Sequence, residues 1–340
     1  MIFLNTEKIK ITELKRAGEI ISQGGLVAFP TETVYGLGAD AMNGAAVKKI
    51  FEAKGRPSDN PLIVHISDKR QIEMLARDIN QNAKALIETF MPGPFTIILN
   101  KQQNIPDEVT AGLNTVGIRF PSSKTAREFI QAAKTPIAAP SANISGSPSP
   151  TRAEDVIADM DGKIDAIIIG ENCDVGVEST IVDSSGDVPV LLRPGGVTID
   201  MIREVVPSAI IDKNILEEVK ENEKPRCPGT KYLHYSPKAS VVVVEGEKDA
   251  VQSKIKEQLK LNSDKITGVL TMYGNVYDEP VMISAGENNK EYAKNLFSAL
   301  RDFDKLGVEI IFAEFCEQDG YGLAVKNRLY KSAGYNIIHV

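Results

Sequence analysis

Residues 30–36 read Pro-Thr-Glu-Thr-Val-Tyr-Gly and follow directly on an apolar run, Leu26–Phe29. Further on come Lys54-Gly55-Arg56 and Asn60-Pro61-Leu62, then Pro140-Ser141-Ala142-Asn143 and Glu178-Ser179-Thr180. These read as polar loops at the ends of strands and helices. Hydroxyls, a guanidinium, an ammonium and an amide on such loops are the groups an adenylate-forming site needs. Arginine suits forked contacts to a polyphosphate, and lysine a point-charge contact. A phosphate loop of the G-x-x-x-x-G-K-S/T kind is absent from the sequence, so a nucleotide would be held by scattered side chains and loop amides.

Each of these groups also has a plainer reading. Lys54 and Arg56 end a helical stretch, where cations favour the dipole and are ordinarily solvated. Asn60 and the Pro-Thr-Glu-Thr loop are the company that favours phosphate. Arg119 lies in Val116-Gly117-Ile118-Arg119-Phe120, and a guanidinium inside an apolar strand needs an anion, because burying it unpaired is costly. A structural carboxylate and a substrate carboxylate both meet that need. Ser141, Asn143, Ser179 and Thr180 at strand ends are common turn formers. Ser149 and Thr151 read first as helix N-caps, with Pro150 near the first helical position, although a ligand oxygen could share Ser149. His65 follows Leu62-Ile63-Val64, and a lone strand histidine is more often a core residue than a catalytic one.

Gly36-Leu37-Gly38-Ala39-Asp40-Ala41 fits G-x-G-x-x-A, but residues 30–35 separate it from the strand where a dinucleotide loop needs a tight turn. The glycines read instead as a turn into a helix near residue 45. Glu32 and Glu178 are carboxylates that could act as acid and base or be structural. The sequence has no Gly-x-Ser-x-Gly elbow and no Cys–His pairing signature, which disfavours covalent acyl catalysis.

The elements that must position these loops follow from periodicity. Helices are expected over 12–23, 45–53, 83–90, 124–133, 152–160 and 198–205, with Ser67 as N-cap of a further one. Strands are expected at Leu26–Phe29, Leu62–Ile66, Phe95–Leu99, Val116–Phe120, Ile137–Ala139, Ala166–Ile169, Thr180–Val182 and Val190–Leu192. Interleaved strands and helices give an α/β domain. Several connections are too short for a crossover, so the sheet should be mixed. From about residue 207 the character of the chain changes; Glu217 to Arg226 is charged and lacks an apolar face, and with Pro225-Arg226-Cys227-Pro228-Gly229 it reads as a linker. After Pro237 a second β/α pattern begins, with strands at 241–244, 266–271 and 308–312 and helices at 247–261, 289–304 and 322–332. It reads as a small doubly wound domain.

The length of 340 residues fits about two domains. Three widely spaced cysteines, Cys173, Cys227 and Cys316, argue for free thiols in a reducing compartment and against a zinc site. The apolar N-terminal run is too short for a signal peptide, and no stretch reaches membrane-spanning length. The expectation is a cytoplasmic protein without membrane contact. A net charge of −7, no Trp and 6% aromatics weigh against a constitutive nucleic-acid binder but leave room for a local basic cleft.

Three blocks taken together are highly specific: Pro30-Thr-Glu-Thr-Val-Tyr-Gly-Leu37, the Lys54-x-Arg56 pair with Asn60-Pro-Leu-Ile63, and Ala139-Pro-Ser-Ala-Asn143. In order and spelling the chain resembles the L-threonylcarbamoyladenylate synthase family, whose small members are called YrdC-like. The resemblance covers the whole chain. It implies a YrdC-like twisted mixed-sheet α/β catalytic domain at 1–206, a linker or lid at 207–238, and a small Rossmann-like α/β accessory domain at 239–340. The activity implied is that of a nucleotidyltransferase. It joins L-threonine, bicarbonate and ATP into threonylcarbamoyl-AMP with release of pyrophosphate, with Mg2+ accompanying ATP. The product would pass to tRNA threonylcarbamoyl-transfer proteins that modify the adenosine beside the anticodon.

Carried over by position, Thr33, His65, Arg119 and Ser179, with the Ala139 backbone, resemble threonine ligands, and Arg119 would take the carboxylate. Arg56, Asn60, Thr115, Ser141, Ser149 and Arg193 resemble ATP ligands. Lys54, paired with Arg56, should face phosphate and stabilise charge. Pro228-Gly229-Thr230-Lys231-Tyr232-Leu233-His234-Tyr235 resembles the family's Pro-Gly-Met-Lys-Tyr-x-His-Tyr segment, with Thr230 where Met is usual and Tyr232 reaching the nucleotide. Residues 226–236 are expected to fold over the occupied site as a lid. Two other classes compete: a non-catalytic RNA-binding module, which calls for a basic face, and a carbamoyltransferase with another acceptor, which calls for acylphosphatase and zinc-finger regions that this chain lacks.

Overall fold

The computed structural model describes residues 5–216, 227–228, 235–278, 280–316 and 320–340. The chain divides into two compact units, one of residues 1–145 and 149–231, the other of residues 146–148 and 232–340.

In the first unit the strands are β1 (Glu7–Lys10), β2 (Val27–Phe29), β3 (Gly36–Asp40), β4 (Ile63–His65), β5 (Ala76–Arg77), β6 (Phe95–Lys101), β7 (Thr115–Arg119), β8 (Ile137–Ala139), β9 (Ala166–Ile169), β10 (Thr180–Asp183), β11 (Val190–Arg193) and β12 (Ile210–Ile211). They form one sheet in the order β1-β9-β2-β3-β8-β4-β7-β6-β10-β11-β12, with β5 beside β6. The sheet is mixed, as the short connections require: β4 and β7 are parallel, while β8 runs against β4 and β6 against β7. Its register sets His65 opposite Arg119 and Ile137, and Arg119 opposite Thr96.

The helices are α1 (Leu14–Ser22), α2 (Gly44–Lys54), α3 (Ile72–Leu75), α4 (Gln81–Phe90), α5 (Asp107–Thr110), α6 (Lys124–Ala133), α7 (Ala153–Met160) and α8 (Ile199–Val205). Helix α2 starts where Asn43 accepts from Ala46 N and ends at Gly55, whose φ of 61° is the left-handed conformation that glycine adopts freely. That stop leaves Lys54 in the last turn. Helices α1 and α6 bury apolar faces in one cluster, including Ala17, Ile20, Ile21, Phe129 and Ile130. They approach backbone to backbone, since a Cβ on Gly18 would stand 2.5 Å from the Ala132 carbonyl.

Several local expectations give way to tertiary pairing. The glycines at 36 and 38 lie inside β3, not in a turn. Phe29 packs where a Cβ on either would sit, at 3.0 Å. Strand β1 was not anticipated, because only Ile9 of its four residues is buried. Asp68, not Ser67, caps the 3-10 turn Lys69–Gln71 that leads into α3. Helix α7 starts at Arg152 without a side-chain cap, so neither Ser149 nor Thr151 serves as one. Within the segment expected to be linker, β12 extends the first sheet beside β11.

The second unit has five strands, β13 (Ser240–Glu245), β14 (Thr267–Met272), β15 (Val281–Gly286), β16 (Ile310–Phe315) and β17 (Ile337–His339), with α9 (Lys248–Leu261), α10 (Asn289–Lys305) and α11 (Gly322–Ser332). All pairs are parallel, in the order β15-β14-β16-β13-β17. This is the Rossmann-like arrangement expected, with β15 and β17 added. Tyr235 stacks on Phe297 at 5.0 Å and lies 5.7 Å beneath the Arg328 guanidinium. It is thus a core residue of this unit.

Replacing glycine by alanine inside a helix ordinarily stabilises by about 1 kcal/mol. At Gly18 the added methyl must push α1 off α6, and overpacking of this kind costs ~1–3 kcal/mol. Gly18→Ala should therefore lower the urea midpoint of unfolding, not raise it.

Candidate active site

Buried polar side chains in the first unit converge from the ends of its central strands. Arg119, at the end of β7 and 3% exposed, has Nη2 2.8 Å from Glu32 Oε1 and 3.4 Å from Thr31 Oγ1. Thr31 Oγ1 lies 2.9 Å from Thr33 Oγ1 and reaches the Val34 carbonyl at 2.6 Å. The hydroxyls of the Pro-Thr-Glu-Thr loop thus fold back on its own backbone and on Arg119. Across the sheet, Thr96 Oγ1 lies 2.8 Å from Ser179 Oγ, and Arg193 donates to Ser179 through Nε to the carbonyl at 3.1 Å and through Nη2 to the hydroxyl at 3.2 Å. Arg193 Nη1 also donates to the Pro228 carbonyl at 3.2 Å.

A second group is organised by Lys54, which is 2% exposed. Its Nζ donates to the carbonyls of Ser141 and Asn143, each at 2.5 Å, and lies 3.3 Å from Asn143 Oδ1. Ser145 N returns a bond to the Lys54 carbonyl at 3.0 Å. The expected phosphate-facing cation is therefore turned toward a loop of this chain, because a buried ammonium takes the nearest strong acceptors. That loop is tied to the Pro-Thr-Glu-Thr loop by Ala142 N to the Tyr35 carbonyl at 2.8 Å and Leu37 N to the Pro140 carbonyl at 2.9 Å. Ser149 Oγ donates to Glu178 Oε1 at 2.5 Å, which joins the same loop to the residue before Ser179.

The structure thus unites Thr33, His65, Arg119, Ser179 and Arg193, and links Lys54, Ser141 and Ser149 to them through loop backbones. Ala139 ends β8, between the partners β3 and β4. Thr115 lines a cleft on the sheet face with Pro61, Ile63, Ile181 and two residues bonded to that group, Thr96 and Pro228. Next to Pro61, Asn60 is fully buried and neither atom of its amide has a hydrogen-bond partner. Arg56 lies on the wall of an open groove with Lys48, Glu52 and Asp107. Tyr232 and His234 are outside the described residues. Of the expected lid, Cys227 packs with Ile63, Ile98, Ile181 and Leu192. Sequence reasoning missed Thr31 and Thr96. Thr31 was visible in the motif, whereas Thr96 had no signal beyond being polar in an apolar strand.

Burial and the nearby Arg119 lower the pKa of His65 to about 3, so the ring is neutral and Nδ1 donates to the Ile63 carbonyl at 3.1 Å. Burial also pushes the Cys173 thiol well above its usual range, which leaves it a poor nucleophile. Among the described residues no group of three or more His, Cys, Asp or Glu could hold a metal ion. Nor is any described helix long and apolar enough to cross a membrane.

Fold and site together define a two-domain α/β protein: a mixed-sheet domain that gathers buried cations and hydroxyls at its strand ends, and a parallel-sheet domain. Residues 19–195 match the Sua5, YciO and YrdC family described as "Telomere recombination", and residues 197–334 match "Threonylcarbamoyl-AMP synthase, C-terminal domain". The chain is 46% identical to the threonylcarbamoyl-AMP synthase of Pyrococcus abyssi over 98% of each chain. It is also 46% identical to that of Bacillus subtilis, over 96% of this chain and 94% of the relative. The solved structure of P. abyssi Sua5 complexed with L-threonine superposes with a TM-score of 0.94 at 45% identity, covering 98% of this chain and 99% of that one. The chain belongs to the threonylcarbamoyl-AMP synthase family.

A histidine whose pKa is lowered on folding adds stability above its unfolded value near 6.5, and that stability is lost as pH falls toward about 3. The slope approaches about 1.4 kcal/mol per pH unit. Urea midpoints of the wild type and His65→Gln, taken from pH 7.5 down to pH 4.5, should show the wild-type curve falling more steeply. Parallel curves would mean that His65 is not held neutral by burial.

Proposed function

We propose that this chain joins L-threonine, bicarbonate and ATP into threonylcarbamoyl-AMP, the first step toward threonylcarbamoyladenosine in tRNA. The carrying observation is its likeness, over 98% of its length and at a TM-score of 0.94, to an enzyme solved with L-threonine. The site supports it: a buried guanidinium for a carboxylate, and a fully buried amide, Asn60, without a protein partner. Buried polar groups ordinarily have partners, so Asn60 is suited to a ligand.

The threonine amine attacks the carbon of bicarbonate, and water leaves to give a carbamate. A carbamate oxygen then attacks the α-phosphorus as the bond to the β-phosphate oxygen breaks and pyrophosphate departs. No protein nucleophile is required. Arg119 takes the threonine carboxylate, while Thr33, His65, Ser179 and the Ala139 backbone surround the rest of the amino acid. Arg56, Asn60, Thr115, Ser141, Ser149 and Arg193 hold the nucleotide, with Tyr232 added from the linker. Lys54 acts by fixing the carbonyls of the Ser141–Asn143 loop. Catalysis is then positioning and stabilisation of charge at the phosphates. Mg2+ enters with ATP and is held mainly by phosphates and water, as Mg2+ usually is. The labile product calls for shielding from water, and residues 226 and 229–234 of the expected lid lie outside the described residues. The enzyme acts in the cytoplasm and passes its product to tRNA threonylcarbamoyl-transfer proteins.

Pyrophosphate release from ATP should require both L-threonine and bicarbonate. Turnover indifferent to threonine would overturn the reading. Arg56→Ala should weaken ATP binding and Arg119→Ala threonine binding, each by roughly 10- to 100-fold, the range for a lost charge-assisted contact. Titrations in which both variants lose both ligands equally would count against separate subsites.

A further inference from the structure

The contact between Glu32 and Arg119 is an unusual ion pair. The side chains are 9% and 4% exposed, and Oε1 stands 2.8 Å from Nη2. Yet Glu32 Oε1 and Arg119 Nε are both buried without a hydrogen-bond partner. The two statements are compatible: the atoms are close, but the N–H of Nη2 is not aimed at the carboxylate. A purely structural Arg–Glu pair would ordinarily settle into a fork of two parallel bonds. Here that fork is not formed. Val175 N donates to the Glu32 carbonyl at 2.8 Å, and Ser123 N lies 3.4 Å from Oε2. One strong acceptor and one strong donor are thereby left unsatisfied side by side, which is costly unless a ligand satisfies both.

The ligand that does so carries a cationic and an anionic group on one carbon, as an α-amino acid zwitterion does. We propose that Glu32 reads the α-ammonium of the amino-acid substrate while Arg119 Nε reads its carboxylate. Two neighbours do not compete for these charges: His65 is neutral and the Cys173 thiol is protonated. Thr33, next to Glu32, is left to face the substrate side chain. Glu32 is then a substrate-recognition residue that positions the substrate nitrogen. This inference rests on the proposed function, because it takes L-threonine as the amino acid.

The test titrates L-threonine and 3-hydroxybutyrate, which is threonine with hydrogen in place of the amine, into the full chain, followed by ligand NMR. Wild type and Glu32→Gln are compared, with ATP binding as the check on folding. Glu32→Gln should weaken L-threonine by about 10-fold or more and leave 3-hydroxybutyrate unchanged. Equal losses for both ligands would overturn the proposal, because Glu32 would then act only by aligning Arg119. No loss for either would also overturn it. If Glu32→Gln does not fold, Glu32→Asp, which keeps the charge but withdraws it by one methylene, is expected to give the same selective loss. Failure of wild type to bind L-threonine would strike the proposed function instead.

Discussion

A full positive charge on Lys54, at 2% exposure, has to be compensated inside the protein, and the loops of the site are arranged around that need. Burying an ammonium without partners is prohibitive. The carbonyls of Ser141 and Asn143 therefore turn inward to accept from it. Once they do, Ala142 N and Leu37 N are placed to bond the Tyr35 and Pro140 carbonyls, and the Pro-Thr-Glu-Thr loop is fixed against the Ser-Ala-Asn loop. A helix end, a glycine stop and a single side chain thus position two loops from distant parts of the chain.

The same logic repeats at Arg119 and Arg193. Each ends a strand and is nearly buried, and each is met by oxygens of a neighbouring loop. The cations differ in what remains. Lys54 is surrounded by carbonyls, which hold it in place. Arg119 keeps one buried donor without a partner, and its counter-ion keeps one acceptor. A site that holds structure with one cation and retains binding capacity on another can be rigid before the substrates arrive, which lowers the cost of ordering them.

Nothing in this arrangement calls for covalent catalysis. Cys173, the buried cysteine nearest these loops in the chain, is kept protonated by its surroundings, and His65 has a carbonyl, not a hydroxyl or thiol, as its hydrogen-bond partner. What the described residues offer is placement and charge.

The sequence by itself determined the kind of protein. Apolar periodicity marked the alternation of strands and helices, and the bounds of α6 and α11 were legible to the residue; α6 has a clear apolar face, a Ser123 cap and a left-handed stop at Lys134. The motif blocks marked the family and hence the reaction. Tertiary structure alone decided what the polar groups do. Lys54 could be read as facing phosphate, but its partners lie 87 and 89 residues away. Ser149 could be read as a cap until Glu178 was placed beside it, and nothing local to Arg119 pointed to Glu32 as the carboxylate against it. The glycines at 36 and 38 looked like a turn until β2 and β8 were seen to flank them. Local pattern reports which residues are buried and how the backbone repeats. It does not report which distant oxygen will meet a buried charge, because that depends on strand order and register.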